Sequence, residues 1–196
     1  MNFLAHLYLC DCTDGSRLGA LYGDFMRGCS IEQFSPEIRH GIRLHQFIDT
    51  FTDDHPVFRR SKGRIAPERR RYAGVLIDIF YDHFLALDWS DYSTQPLPQF
   101  TQSVYCLLEA NADSLPERLR RIAPVLIRED WLTSYGTEAG LCRTFQGLSR
   151  RIRRENLVDQ SLEDLEASRT LLHQDFCQFF PLLRAAVAQF PPLGLN

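Results

Sequence analysis

Apolar and polar positions along this chain recur with the 3.6-residue spacing of helices, and no run alternates like a strand. Pro36-Glu37 opens a segment that continues to Asp54, where His55-Pro56 stops it, because proline disfavours helix in the residue before it. Pro67-Glu68 opens a longer segment reaching Leu87. Pro96 and Pro98 mark a loop before a helix from Gln99 to Ala112, and Pro116-Glu117 starts another. Asp130 to Arg154 reads as one long helix, bent near Gly136 and Gly140. Ser161 reads as an N-cap ahead of the acidic first-turn residues Glu163 and Asp164. The last helix is expected to break near Pro181 and to end before Pro191-Pro192. No repeat or low-complexity tract divides the chain. The pattern predicts an all-α, single-domain bundle of about seven to nine helices over residues 1–196.

One segment departs from the amphipathic pattern. Between Ala73 and Leu87 the chain is apolar nearly all round, the mark of a helix buried inside a bundle, yet it carries Asp78, Asp82 and His83. Asp78 and Asp82 are four apart and share one face. A carboxylate in apolar surroundings is costly unless it is paired or bound to metal. No lysine or arginine lies inside this helix. A basic side chain from a neighbouring helix or a solvent-exposed face would answer the cost, and a metal answers it better. The 36–54 helix carries a second pair at the same spacing, His45 and Asp49. One such pair is ordinarily a hydrogen bond, but two helices each carrying a pair can close a cage around one or two cations. Asp53 and Asp54 fall near a helix C-terminus, where the macrodipole disfavours negative charge. Pairing with Arg59 or Arg60 and a functional role are equally open for them. Asp24, after Gly23, reads by itself as a turn residue, and His6 as a core histidine.

The composition, 44% hydrophobic and 24% charged over 196 residues, suits one well-buried core, and 14 Phe with 7 Tyr make that core aromatic. No run approaches the roughly 18 apolar residues needed to span a bilayer, and the apolar start Met1 to Leu9 has no basic leader. A cytoplasmic protein without membrane or nucleic-acid partners is expected. The 6 cysteines, at 10, 12, 29, 106, 142 and 177, include no C-x-x-C pair and are expected to be reduced and mostly buried. Histidine and carboxylate ligands without thiolate favour Mn²⁺, Mg²⁺ or Fe²⁺ over structural zinc. Such sites most often activate water for attack on phosphorus. The glycine-rich phosphate loop of NTPases and the serine elbow of α/β-hydrolases are both absent.

Four stretches together, Asn2-Phe-Leu-Ala-His-Leu-Tyr, Gly23-Asp-Phe, Gly41 to Pro56 with its Leu-His-x-Phe-Ile-Asp core, and Asp78-x-x-x-Asp-His-Phe-Leu, resemble the bacterial acyl carrier protein phosphodiesterases. The resemblance is specific in the first ninety residues or so and general in helical character beyond them. That family is related to the all-helical HD-type metal-dependent phosphohydrolases. The adjacent His-Asp dyad of those enzymes is replaced here by His45 and Asp49 four apart, and by Asp82-His83 in reversed order.

The resemblance implies hydrolysis of the phosphodiester joining 4′-phosphopantetheine to a serine of acyl carrier protein. Mn²⁺ or Mg²⁺ would be the cofactor, and the setting fatty acid and lipid metabolism. On that basis Asp24, His45, Asp49 and Asp82 are the expected metal ligands, with Asp78 a further ligand or a group orienting one. His6 and His83 are candidates for proton transfer or phosphate contact.

The carrier is acidic, which draws attention to basic runs. Arg59, Arg60, Lys62, Arg64, Arg69, Arg70 and Arg71 adjoin the proposed site and are expected to dock it, with Arg69, Arg70 and Arg71 as substrate contacts. Arg150, Arg151, Arg153 and Arg154 read equally well as a docking or a solvated surface. The rival readings are a nucleotide or cyclic-nucleotide phosphohydrolase using the same site, and a non-catalytic helical binding module stabilised by metal.

Overall fold

The computed structural model describes residues 1–26 and 29–194, and no strand occurs among them. The helices are α1 (Phe3–Leu9), α2 (Asp14–Tyr22), α3 (Pro36–Asp54), α4 (Pro56–Lys62), α5 (Ala73–Leu87), α6 (Trp89–Tyr92), α7 (Leu97–Ala110), α8 (Glu117–Arg128), α9 (Trp131–Ser134), α10 (Glu138–Arg151) and α11 (Leu162–Val187). The all-α reading holds. The eleven helices among the described residues exceed the expected number because single-turn pieces such as α6 and α9 carry no periodicity of their own.

Local chemistry sets most boundaries. Ser35 Oγ accepts from the Ile38 N–H and Pro36 takes the first helical position, so α3 starts where its sequence signals it. His55 ends α3 and caps α4 at once, its Nδ1 accepting from the Val57 N–H. Four expectations fail. Residues 67–72 form turns and one 3₁₀ turn, so the central helix begins at Ala73. The expected helix from Asp130 is two helices. Asp130 itself takes a left-handed conformation (φ 47°), fixed by the Tyr105 hydroxyl donating to its Oδ1, and the chain turns again at Gly136-Thr137. α11 runs unbroken through Pro181, which points to solvent while Phe176, Phe179, Phe180 and Leu183 anchor the helix on its buried side. The lost backbone hydrogen bond is outweighed by that packing. Ser161 is itself helical in φ and ψ, and its hydroxyl donates to the Val158 carbonyl instead of capping α11.

α5 is the central helix: all of it except Gly74, Val75, Asp78 and Leu87 is buried. Around it Phe58, Tyr81, Phe176 and Phe179 pack at tilted and edge-to-face angles, with ring centroids 5.6 to 6.5 Å apart. Two buried carboxylates of α11 bind the α4 region to this core. Asp175 accepts from Arg60, Arg64 and Ser61, at 2.6 Å from Arg60 Nη2 and 2.9 Å from Arg64 Nε. Asp164 accepts from Arg69 Nε at 2.6 Å and from the Ala66 N–H at 2.9 Å. No helix is long and apolar enough to cross a membrane. The cysteines form no disulfide, but only Cys10 is buried. The expectation of mostly buried thiols is corrected, because the others fall on the outward faces of their helices and loops.

Candidate functional site

α2 and α3 form the most extensive helix pair of the bundle. Their backbones approach closely at Gly19 and Gly41, where a Cβ on Gly41 would meet Gly19 Cα at 2.9 Å. This contact carries the His45 ring up to the end of α2. There Gly23 leaves room for it, since a Cβ on Gly23 would overlap the imidazole. His45 Nδ1–H donates to the Ala20 carbonyl at 2.7 Å. A carbonyl only accepts, so this bond fixes the tautomer and turns the Nε2 lone pair outward, the arrangement that orients a metal-ligating imidazole.

That Nε2 faces two carboxylates. Asp49 Oδ2, one turn along α3, lies 3.2 Å away, and Asp24 Oδ1 lies 3.7 Å away. α1 brings the fourth group: the His6 ring stacks on His45 at 3.7 Å between centroids, and its Nε2 is 3.1 Å from Asp49 Oδ1 and from the Met1 carbonyl. His6 Nδ1 is buried and has no hydrogen-bond partner among the described residues. One ligand atom from each of His6, His45 and Asp49 lies within 4.8 Å of the others.

The electrostatics favour a cation. Burial, then the neighbouring His45, pull His6 down to about 3, so it is neutral near pH 7. Burial would raise Asp49, but hydrogen bonds from His45 and His6 outweigh it and hold the carboxyl well below the usual range. Burial likewise opposes charge on His45, yet Asp49 and Asp24 raise it. Nε2 set between two carboxylates calls for a positive charge there, which a proton on His45 or a bound cation supplies.

The two aspartates of α5 take other partners. Asp82 is fully buried and accepts from the Leu4 N–H at 2.7 Å and the Ala5 N–H at 3.2 Å, so it caps the first turn of α1. Burial pushes its carboxyl up to about 7 against those two donors. Asp78 lies 2.9 Å from the Met1 amine. Burial alone would lower that amine, but Asp78 and Asp49 raise it to about 10. Among the described residues neither aspartate draws on a lysine or arginine.

Of the expected residues, then, the fold brings together His6, Asp24, His45 and Asp49. Asp78 stands beside them, and Asp82 positions the helix that carries His6. His83 turns elsewhere, donating from Nδ1 to the Tyr135 carbonyl at 2.7 Å with Arg169 at its other nitrogen. Asp53 and Asp54 are exposed and face Lys62 and Arg59. Arg69, expected as a substrate contact, is corrected: it is 5% exposed and locked to Asp164. Arg70 donates to the Gly63 and Ile65 carbonyls, and Arg71 is exposed. A second grouping, absent from the expectations, places His173 Nε2 2.6 Å from Asp88 Oδ2 and 3.7 Å from Cys177 Sγ. It joins α11 to the end of α5. Only the i,i+4 spacing of His173 and Cys177 hints at it.

Comparison with known proteins bears on what this geometry serves. A family described as acyl carrier protein phosphodiesterase matches residues 1–183. The acyl carrier protein phosphodiesterase of Photorhabdus laumondii is 34% identical over 184 residues, covering 93% of each chain. That of Yersinia enterocolitica is 33% identical over 93% of this chain and 95% of its own. The Shigella boydii protein of the same name is 34% identical over 94% and 96%. No solved structure matches the chain. A match running from Met1 to Leu183, with relatives aligned over nearly their whole length, means that the chain belongs to the acyl carrier protein phosphodiesterase family.

Proposed function

We propose that this protein hydrolyses the phosphodiester between 4′-phosphopantetheine and the serine of an acyl carrier protein, releasing apo-carrier and free 4′-phosphopantetheine. We further propose that it does so with a divalent cation, Mn²⁺ first and Mg²⁺ or Fe²⁺ as alternatives, held by His6, His45 and Asp49 with Asp24 completing the set. The observation that carries the cation is the His45 imidazole, tied through Nδ1 to Ala20 and aimed through Nε2 at two carboxylates. The unpartnered Nδ1 of buried His6 supports it. Two imidazoles with carboxylates and no thiolate form a donor set that suits these metals. When bound, such an ion polarises a phosphoryl oxygen and lowers the pKa of water toward neutrality.

The chain's own residues supply orientation. Ala20 and Gly23 fix the His45 ring, Asp82 holds α1 so that His6 stacks on it, and Asp49 receives both histidines. His6, neutral near pH 7, keeps one ring nitrogen unprotonated and able to ligate. Asp78 holds the Met1 amine beside Asp49.

Mass spectrometry of holo-carrier incubated with the protein and Mn²⁺ tests the reading. Loss of the phosphopantetheine mass is expected, and neither chelator-treated protein nor Asp49→Ala should produce it. An intact carrier beside folded, metal-loaded protein would overturn the substrate assignment and favour a nucleotide phosphodiester. Undiminished loss in the presence of chelator would overturn the metal.

A further inference from the structure

A groove with a volume of about 470 Å³ opens between the start of α1, the outer face of α5 and helices α8 to α10. That is within the usual range of sites for small organic ligands, roughly 300–1,000 Å³. It begins where the candidate site ends. Val75 and Ile79 line it and flank Asp78 on one face of α5. Asn2 and Phe3 line it as well, directly after the Met1 carbonyl that touches His6. Its lining mixes apolar surface, including Trp131 and Leu148, with the amide and hydroxyl groups of Gln146 and Thr144.

The rim is basic. Arg143, Arg150 and Arg151 border the groove on α10, and all three are exposed. Among the described residues none of them has a carboxylate within ion-pair distance, and the same holds for Arg153 and Arg154 beyond them. Arg151 is held over the Trp131 ring at 6.0 Å and donates to the Gly147 carbonyl. Glu129, the one carboxylate in the lining, already accepts from Arg128 and from Trp131 Nε1.

We propose that this groove seats the pantetheine arm of the carrier and that the α10 arginines bind the acidic surface from which the arm projects. The assignment rests on the function proposed above. The arm is uncharged beyond its phosphate and alternates methylene groups with two amides, which is the mixture the groove offers. Its phosphate end then lies toward Asp78 and the His6–His45–Asp49 cluster, and the carrier's negative charge meets arginines that form no ion pair among the described residues. Rim charges of this kind act on encounter and register more than on chemistry.

Steady-state kinetics on holo-carrier, with binding of apo-carrier measured in parallel, tests both halves. Arg143→Glu/Arg150→Glu is expected to raise KM on the order of tenfold with little change in kcat, and to weaken apo-carrier binding in proportion. Raising salt should lift the wild-type KM toward that of the variant. Arg118→Glu carries the same charge change per residue at an exposed position outside the groove lining and should leave KM unaltered. Gly147→Trp fills the groove, where a Cβ meets nothing nearer than the Arg151 guanidinium at 3.7 Å. It should lose most turnover yet bind apo-carrier, which has no arm, like wild type. If wild type leaves holo-carrier intact, the function beneath this assignment falls. If wild type releases the arm and both groove variants keep its KM and kcat, the groove assignment alone falls.

Discussion

Two stretches of this protein are rich in arginine and do different things with it. Between residues 59 and 71 most of the positive charges have an acidic partner within the molecule. Arg60 and Arg64 converge on Asp175, Arg69 closes on Asp164, and Arg59 and Lys62 face Asp54 and Asp53. Along α10 and just beyond it, Arg143, Arg150, Arg151, Arg153 and Arg154 stand in solvent with no such acid among the described residues. The difference lies in the partners. The acids that hold Arg60, Arg64 and Arg69 come from α11, about a hundred positions later, and are buried. A buried ion pair holds the fold in register and is costly to break on one side only. An unpaired surface arginine adds little to stability and remains available to another molecule. The aspartates divide the same way: Asp82 is consumed by the backbone of α1, while Asp49 stays partly open beside two imidazoles.

The largest effect expected from this contrast is on folding. Asp175→Asn leaves Arg60 and Arg64 without their counter-charge and should cost about 2–4 kcal/mol, because both arginines keep part of their surface in solvent, read as a lower urea midpoint. The arginines hold the Asp175 carboxyl below its ordinary value although burial alone would raise it. Its stabilisation is therefore complete above an unfolded pKa of about 4 and fades as pH falls through the lower, folded value. Asp175→Asn should flatten that acid limb, and a wild-type stability indifferent to pH there would break the first half of the comparison.

Asp82→Asn comes next, at about 1–3 kcal/mol, because an amide cannot accept from both α1 donors as a carboxylate does. Mn²⁺ affinity, measured by titration, should hardly change. A large loss would return Asp82 to the ligand set.

Arg143→Glu/Arg150→Glu should shift unfolding free energy by no more than about 0.5 kcal/mol, as expected of charges with no internal partner. A greater loss would mean that the α10 arginines hold the fold together much as the 59–71 stretch does.

Smallest is Arg71→Glu, exposed at the edge of the paired cluster. Carrier KM should move by less than about twofold. A tenfold rise would join the two basic regions into one docking face.

These partnerships also mark how far the sequence could be read. Ser35-Pro36 and His55-Pro56 announce both ends of α3, and the apolar run from Ala73 announces a buried helix, because caps and periodicity are local. His45 and Asp49 are legible as a pair for the same reason. The stacking of His6 on His45 depends on where α1 packs, and periodicity carries no trace of it. Asp82 reads as a ligand in the sequence because a buried carboxylate needs a partner, but its partners are peptide N–H groups, which every residue except proline possesses. The two arginine runs are indistinguishable in one dimension, since what separates them is the distant arrival of Asp164 and Asp175.

The bond from Leu4 N–H to Asp82 joins residues 78 positions apart. During synthesis α1 emerges long before α5, so for that interval its first turn has nothing to cap it and His6 has no settled place. A nascent chain that has not yet released α5 therefore holds every side chain of the His6–His45–Asp49 cluster without the means to align them. Products ending before residue 82 therefore carry the side chains of the cluster without the contact that sets α1 in place.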